Sequence, residues 1–227
     1  MSTAPTGEES QILVRMAARA LARVGLVGAY GHCSLRLDEQ SLLVCAAKPM
    51  GLIAPGEAGA VVPLKGPLPS GVLGEVRAHQ QIYAHRPDIN GICRVFPPKT
   101  VSLAAMGRTP KVRHGLGCYF APQPPLWEDP QLLRTDERAQ GVALRLAGAN
   151  AVVLRGNGAI TVADRLEKAV TLAVFLEEAS RVELDLVHAG FDGPVMLEED
   201  EAKRRATWEG RVWERMWDFL TSGDPER

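Results

Sequence analysis

No stretch of this chain approaches the roughly 18 uninterrupted apolar residues of a membrane span, and its first residues, Met1 to Glu9, are polar and acidic with no apolar core. Neither a membrane span nor a secretory leader is read here, and a cytoplasmic location is expected. An excess of one charge is also missing, because 26 Lys and Arg stand against 27 Asp and Glu. No net field draws the chain to nucleic acid or to an anionic membrane, so small molecules or protein partners are expected instead. Cysteine is scarce. The four present (Cys33, Cys45, Cys93, Cys118) lack CxxC or zinc-finger spacing and sit in apolar or strand-like settings, the pattern of buried free thiols. No internal repeat or low-complexity linker divides the 227 residues, and 46% hydrophobic content suffices for one core spanning 1–227.

What is present is an alternation of helical and strand-like segments. Ile12, Leu13, Met16, Ala17, Ala20, Leu21 and Val24 recur at helical spacing before Gly25, predicting a first helix over 11–24. Cys33–Leu37 and Leu42–Ala46, separated by Asp38-Glu39-Gln40, read as a hairpin, and Val61–Leu64 as a further strand. A helix over 72–85 ends at Arg86-Pro87-Asp88. A buried strand over 89–96, the breaker Pro97-Pro98 and a short helix over 100–106 come next. Residues 111–129 read as an irregular, proline-stiffened loop of the kind that borders pockets. Then come a helix over 132–147, strands over 151–154 and 159–162 joined by Arg155-Gly156-Asn157-Gly158, and a long helix. Asp164 and Glu167 resemble a capping box at its start. Residues 198–220 read as one charged helix carrying Trp208, Trp213, Met216, Trp217 and Phe219, packed on its own core or on a subunit or pocket wall.

Several side chains stand out as chemistry. Glu75 and His79 fall four apart on a predicted helix, one face of it, a spacing that a surface pair would also satisfy. Arg94 lies inside Ile92-Cys93-Arg94-Val95-Phe96, and a cation there must find an anion, either a ligand or a buried acid such as Glu75. Tyr30-Gly31-His32-Cys33-Ser34-Leu35-Arg36 brings a flexible glycine and polar donors to the mouth of a strand, as an anion site or a solvated turn. Lys48, before Pro49, is open to either reading.

In order and separation these pieces resemble the class II aldolase/adducin family over roughly residues 11–189. Gly31-His32-Cys33-Ser34-Leu35-Arg36 is similar to its strand entry, and Glu75 through His79 to Arg86-Pro87-Asp88 to its Glu-containing helix and turn. Val153-Leu154-Arg155-Gly156-Asn157-Gly158, followed by Leu176-Glu177, is similar to its hydrophobic-Leu-Arg-Asn-His-Gly segment. Gly-His before the strand and a Trp-rich C-terminus resemble a branch that contains decarboxylases of hydroxylated aromatic acids. The resemblance implies an α/β fold with a central, mostly antiparallel sheet flanked by helices, and a homo-oligomer, expected as a tetramer. It also implies a divalent cation on three histidines, whose positions fall here on Arg94, Phe96 and Asn157. Guanidinium and phenyl offer no lone pair to a metal, so no metal or other cofactor is expected.

Two functional classes follow. In the first, a metal-independent lyase, decarboxylase or isomerase acts on a small anionic acid. Arg94, Arg155 and Lys48 hold the anion, Glu75 or His79 moves the proton, and His32, Ser34, His114, Tyr119 and Asn157 complete the pocket. In the second, an inactive relative serves binding or assembly, which the lost ligands favour. A divalent-metal aldolase comes third.

Overall fold

The computed structural model describes residues 7–227; the first six residues of the leader argument lie outside them. Helix α1 (Gly7–Arg23) leads into the hairpin β1 (His32–Arg36) and β2 (Ser41–Val44), and then β3 (Ala60–Pro63). Helix α2 (Val76–His85), β4 (Gly91–Val95) and α3 (Pro98–Ala105) follow. The stretch 111–129 is less irregular than its prolines predict, since it holds a 3-10 helix, Gly115–Phe120, and the two-residue strand β5 (Leu126–Trp127). Helix α4 (Asp136–Leu146), β6 (Ala151–Leu154), β7 (Ala159–Ala163) and α5 (Leu166–His188) complete the core, and α6 (Glu199–Arg205) and α7 (Val212–Leu220) close the chain.

The strands form one sheet in the order β3-β2-β1-β4-β7-β6-β5, antiparallel throughout except where β5 joins β6. Strand alternation decides which residue reaches which layer. Cys33 Sγ meets the carbonyl of Val14 on α1 at 3.6 Å, whereas its neighbour Ser34 places Oγ 2.6 Å from His79 Nδ1 on α2. Helices α1 and α2 therefore cover opposite faces. Helix α5 shares the face of α1, because Thr161 Oγ1 donates to Ala169 O at 2.8 Å and Thr161 pairs across the sheet with Cys93, itself opposite Cys33. Helix α4 packs on α2. All four thiols are buried and free. Among the described residues no helix is long and apolar enough to cross a membrane.

Three local expectations need correction. The C-terminal helix is two helices: Trp208 docks between Tyr119 and Phe175, with ring centroids at 4.6 and 6.5 Å. Gly210 and Arg211 then reverse the chain at φ 72° and 61°. The amphipathic pattern continues across that break, so periodicity alone joins what packing separates. At α5 the N-cap is Arg165, and no side chain caps it. Asp164 pairs instead with Lys168 at 2.8 Å and Glu167 with Arg165 at 3.3 Å. A capping box does exist, at Glu198 and Glu201 of α6. Finally, α2 begins four residues later than the periodicity suggests, which makes Glu75 its N-cap, although Glu75 and His79 both still stand against Arg94.

Candidate active site

Arg94 is among the largest fully buried side chains of the protein, at 1% exposure. Its place follows from register: Arg94 lies directly opposite His32 on β1 and Ile160 on β7, and cross-strand partners share a face, here the α2 face. Its Nη1 donates back to Val95 O at 3.0 Å, and the ring of Phe96 lies under the guanidinium, 4.2 Å from ring centroid to Cζ. Glu75 Oε2 stands 3.5 Å from Nη2, an ion pair, while Glu75 Oε1 accepts from Leu133 N at 3.3 Å. Nε and Nη2, the remaining edge of the guanidinium, have no hydrogen-bond partner among the described residues. Burial pulls Arg94 down to about 10, with Glu75 opposing the shift.

The Asn157-Gly158 turn between β6 and β7 closes over this arginine. Gly158 has φ 77°, and a Cβ there would stand 2.1 Å from Val95 O and 2.9 Å from Arg94 Nη1. Only glycine lets the turn lie that close. Glu75, Phe96 and His32, all three against the arginine, also line a cleft of about 590 Å³ whose walls further include Tyr30, Lys48, Leu73, Leu132, Arg134 and Asn157. Lys48 is held at 3.0 Å by Glu57.

Two histidines lie beside Arg94. His32 is 3% exposed, and neither ring nitrogen has a hydrogen-bond partner. Its ring stands 4.6 Å from that of His79. Burial first, then His79 and Arg94, holds His32 well below the usual histidine range, and burial with Arg94 pulls His79 down to about 3. Both rings are neutral at pH 7. Ser34 Oγ bridges His79 Nδ1, at 2.6 Å, to Tyr83 Oη, at 3.0 Å.

Six of the ten sequence candidates therefore gather at one cleft: Glu75, His32, Lys48 and Asn157 in its walls, and Arg94 and Ser34 buried behind them. His79 is the first of four corrections. It is fully buried with Nδ1 engaged by Ser34, so it supports the floor and does not carry a proton to the cleft. His114 caps the 3-10 helix, accepting from Leu116 N at 3.4 Å, near Glu178 and Arg181. Tyr119 packs against Phe175 and Trp208 and donates to Thr207 O. Arg155 is solvated and faces Glu128 at 3.6 Å. The last three were placed by nearness in sequence to the proline loop and the Asn-Gly turn, but the chain turns them away. Leu73, Leu132 and Arg134 were missed, since no pattern marks a residue that reaches the cleft from the loop ahead of a helix.

The family's cation does not fit these residues. A fixed positive charge stands behind the cleft wall, a phenyl ring stacks on it, and among the described residues no group of three or more His, Cys, Asp or Glu side chains could hold a metal ion.

An antiparallel sheet between two helix layers, with a cleft at the ends of β1, β4 and the β6–β7 turn, defines a class II aldolase-like protein. The chain belongs to that family: the Class II Aldolase and Adducin N-terminal domain matches residues 13–184. Among curated proteins it is 37% identical, over 113 residues, to a 3,4-dihydroxyphthalate decarboxylase of Arthrobacter keyseri. That match covers 44% of this chain and 46% of the relative, so it spans about half of the relative's length. Among solved structures, an aldolase II superfamily protein from Pseudomonas syringae superposes with TM-score 0.81 at 17% identity, covering 95% of this chain and 92% of that one. An L-fuculose-1-phosphate aldolase from Thermus thermophilus gives 0.69 at 24%, covering 80% and 96%.

Proposed function

We propose that this chain is a lyase, decarboxylase or isomerase that acts on a small anionic carboxylic acid, aromatic or keto, without a resident divalent cation. The observation that carries the reading is a buried Arg94 whose Nε and Nη2 edge has no hydrogen-bond partner among the described residues and which stands directly behind Glu75, His32 and Phe96 in the wall of the cleft. A carboxylate laid on that edge receives two parallel charge-assisted N–H bonds. When a bond to the carbon beside it breaks, the electron pair left behind delocalises as an enolate, which a fixed cation in a water-poor site stabilises. Glu75, in the cleft wall beside Nη2, is the group placed to move the proton. The decarboxylase relative supports the reaction class.

Incubation in chelator with a panel of hydroxylated aromatic and keto acids, 3,4-dihydroxyphthalate included, is expected to consume at least one of them, with CO2 or spectral change as the readout. Turnover of none would overturn the enzymic reading. Elemental analysis is expected to find no stoichiometric zinc, manganese or iron, because Arg94 both repels a cation and cannot ligate it. One equivalent per subunit would overturn that part. The rival is a catalytically inactive relative used for binding or assembly. It is favoured by the Glu75–Arg94 contact, which makes the arginine a structural partner.

We also propose that the chain forms a homo-oligomer, a tetramer by family resemblance, with α7 at or near a contact. Trp208, Met216 and Trp217 pack on the chain's own core, but Phe219 projects from α7 at 72% exposure. Light scattering at micromolar concentration is expected to give a multiple of 24.5 kDa. A monomer would remove α7 from any subunit contact.

A further inference from the structure

His32 is the buried group beside the cleft for which the proposed chemistry has no defined task. It lies opposite Arg94 in the antiparallel pair, so the two Cα atoms are about 5 Å apart and the side chains rise from one face. Gly31, at φ 134°, makes this approach possible, since a Cβ there would meet Val27 Cγ1 at 2.7 Å and Arg94 O at 3.0 Å. Both nitrogens of His32 and the Nε and Nη2 of Arg94 lack hydrogen-bond partners among the described residues, although both side chains are at least 97% buried. Leaving such groups unpaired costs stability, and a cluster of them at the wall of one cleft, His32 in the wall and Arg94 directly behind it, marks where a ligand's polar atoms belong.

The chemistry of the two heads differs. The Nε and Nη2 edge of Arg94, which Glu75 Oε2 approaches to 3.5 Å without a hydrogen bond, offers two N–H donors in parallel, the pattern of a carboxylate. A neutral imidazole turns either a donor or an acceptor toward a ligand, and a hydroxyl can answer either one, whereas a second carboxylate answers only the donor. Strand partners about 5 Å apart set the two heads close enough for one small acid to meet both.

We propose that His32 and Arg94 form a two-point recognition unit that selects a carboxylate carrying a hydroxyl on the adjacent carbon, with His32 the specificity-determining residue. The proposal rests on the carboxylate-binding reading above. His79 is a positioning residue in this unit. Its ring packs on His32, and Ser34 and Tyr83 fix it from behind: Tyr83 Oη donates to Ser34 O at 3.1 Å, leaving Ser34 Oγ to satisfy Nδ1 in either tautomer. Tyr30, Leu73 and Phe96 give a flat ring apolar walls above the polar floor.

Titration calorimetry at pH 7.5 with benzoate, 2-hydroxybenzoate and 3-hydroxybenzoate as probes tests this. Wild type is expected to bind the 2-hydroxy acid about tenfold more tightly than either of the others, the equivalent of about 1.4 kcal/mol, one well-made hydrogen bond. His32→Phe should bring the three to parity while benzoate affinity stays within about threefold. His32→Gln, which keeps one donor and one acceptor, should retain part of the preference and gives the readout if the phenylalanine variant does not fold. Equal affinities in wild type, or a preference undiminished in both variants, would overturn the selection. If equal affinities are all lost in Arg94→Met, the selection falls and carboxylate binding stands. If no probe binds wild type, both fall.

Discussion

Arg94→Met is expected to abolish the rise in melting temperature that small aromatic and keto carboxylates give the wild-type protein, while leaving the free protein as stable as before or more so. A ligand that binds only the native state raises its stability by mass action, so the rise reports binding directly. Loss of a forked, charge-assisted contact costs on the order of 2 kcal/mol, a roughly thirtyfold weakening. Arg94→Lys should keep only part of the response, because a point charge cannot reproduce the fork. The expectation for the free protein follows from burial. Arg94 is pulled down to about 10 when folded, below its ordinary value. A cation with a depressed pKa destabilises the fold wherever it is charged in both states. The cost is fully present below about pH 10 and fades at higher pH; at neutral pH it is on the order of 3 kcal/mol. Methionine removes that cost and keeps most of the volume. If Arg94 instead exists only to pair with Glu75, the free variant should lose several kcal/mol, and no carboxylate should shift the melting of wild type. Melting curves of wild type and both variants, with and without the acids, separate the two accounts. An unchanged ligand response in Arg94→Met would take the residue out of the mechanism and favour a binding or assembly role.

Glu183→Ala is expected to be the most damaging single change away from the cleft. Glu183 Oε2 accepts from Arg113 Nε at 2.7 Å, and the two side chains are 2% and 3% exposed. Arg113 also donates through Nη1 to Gly193 O at 2.8 Å and to Pro194 O at 2.5 Å, so one guanidinium ties the segment after α5 back onto that helix. Removing the carboxylate leaves a buried cation with backbone carbonyls as its only acceptors, a loss of about 3–5 kcal/mol in denaturant unfolding. Protease should then cut first near 191–197, where Arg113 no longer holds the chain. The double variant Arg113→Met/Glu183→Leu should recover most of the loss, since an apolar pair of similar volume avoids desolvating two charges. A loss below about 1 kcal/mol in the single variant would mean that water reaches Arg113 and that the clip contributes little.

The cleft was partly legible before any coordinates. That the pieces around Gly31–Arg36, Glu75–Asp88 and Val153–Gly158 share a site is what the family resemblance implies, and their strand-end and turn positions agree with it. Arg94 announced itself as a charge within an apolar strand. Glu75 lies in the cleft wall. Helical spacing carries the helix back to Val72, but Gly74 folds against Arg134, whose Cγ would lie 3.2 Å from a Cβ at Gly74, and the helix starts only after Glu75. The carboxylate then turns toward Arg94 and Leu133 N.

By itself the sequence determined the alternation of strands and helices, the motif-bearing turns and the buried thiols. Each of these depends on local periodicity or on the chemistry of a single side chain, whereas the reading of 94 and 96 as former ligand positions rests on the family resemblance. Only the tertiary structure decided that His32 stands against Arg94, that His79 lies beneath the floor, that Tyr119 and His114 face elsewhere, and that the last helix breaks at Gly210. Those outcomes depend on strand register and on Trp208 docking onto Tyr119 and Phe175. Both are contacts between residues far apart in the chain, and their energies carry no local signature.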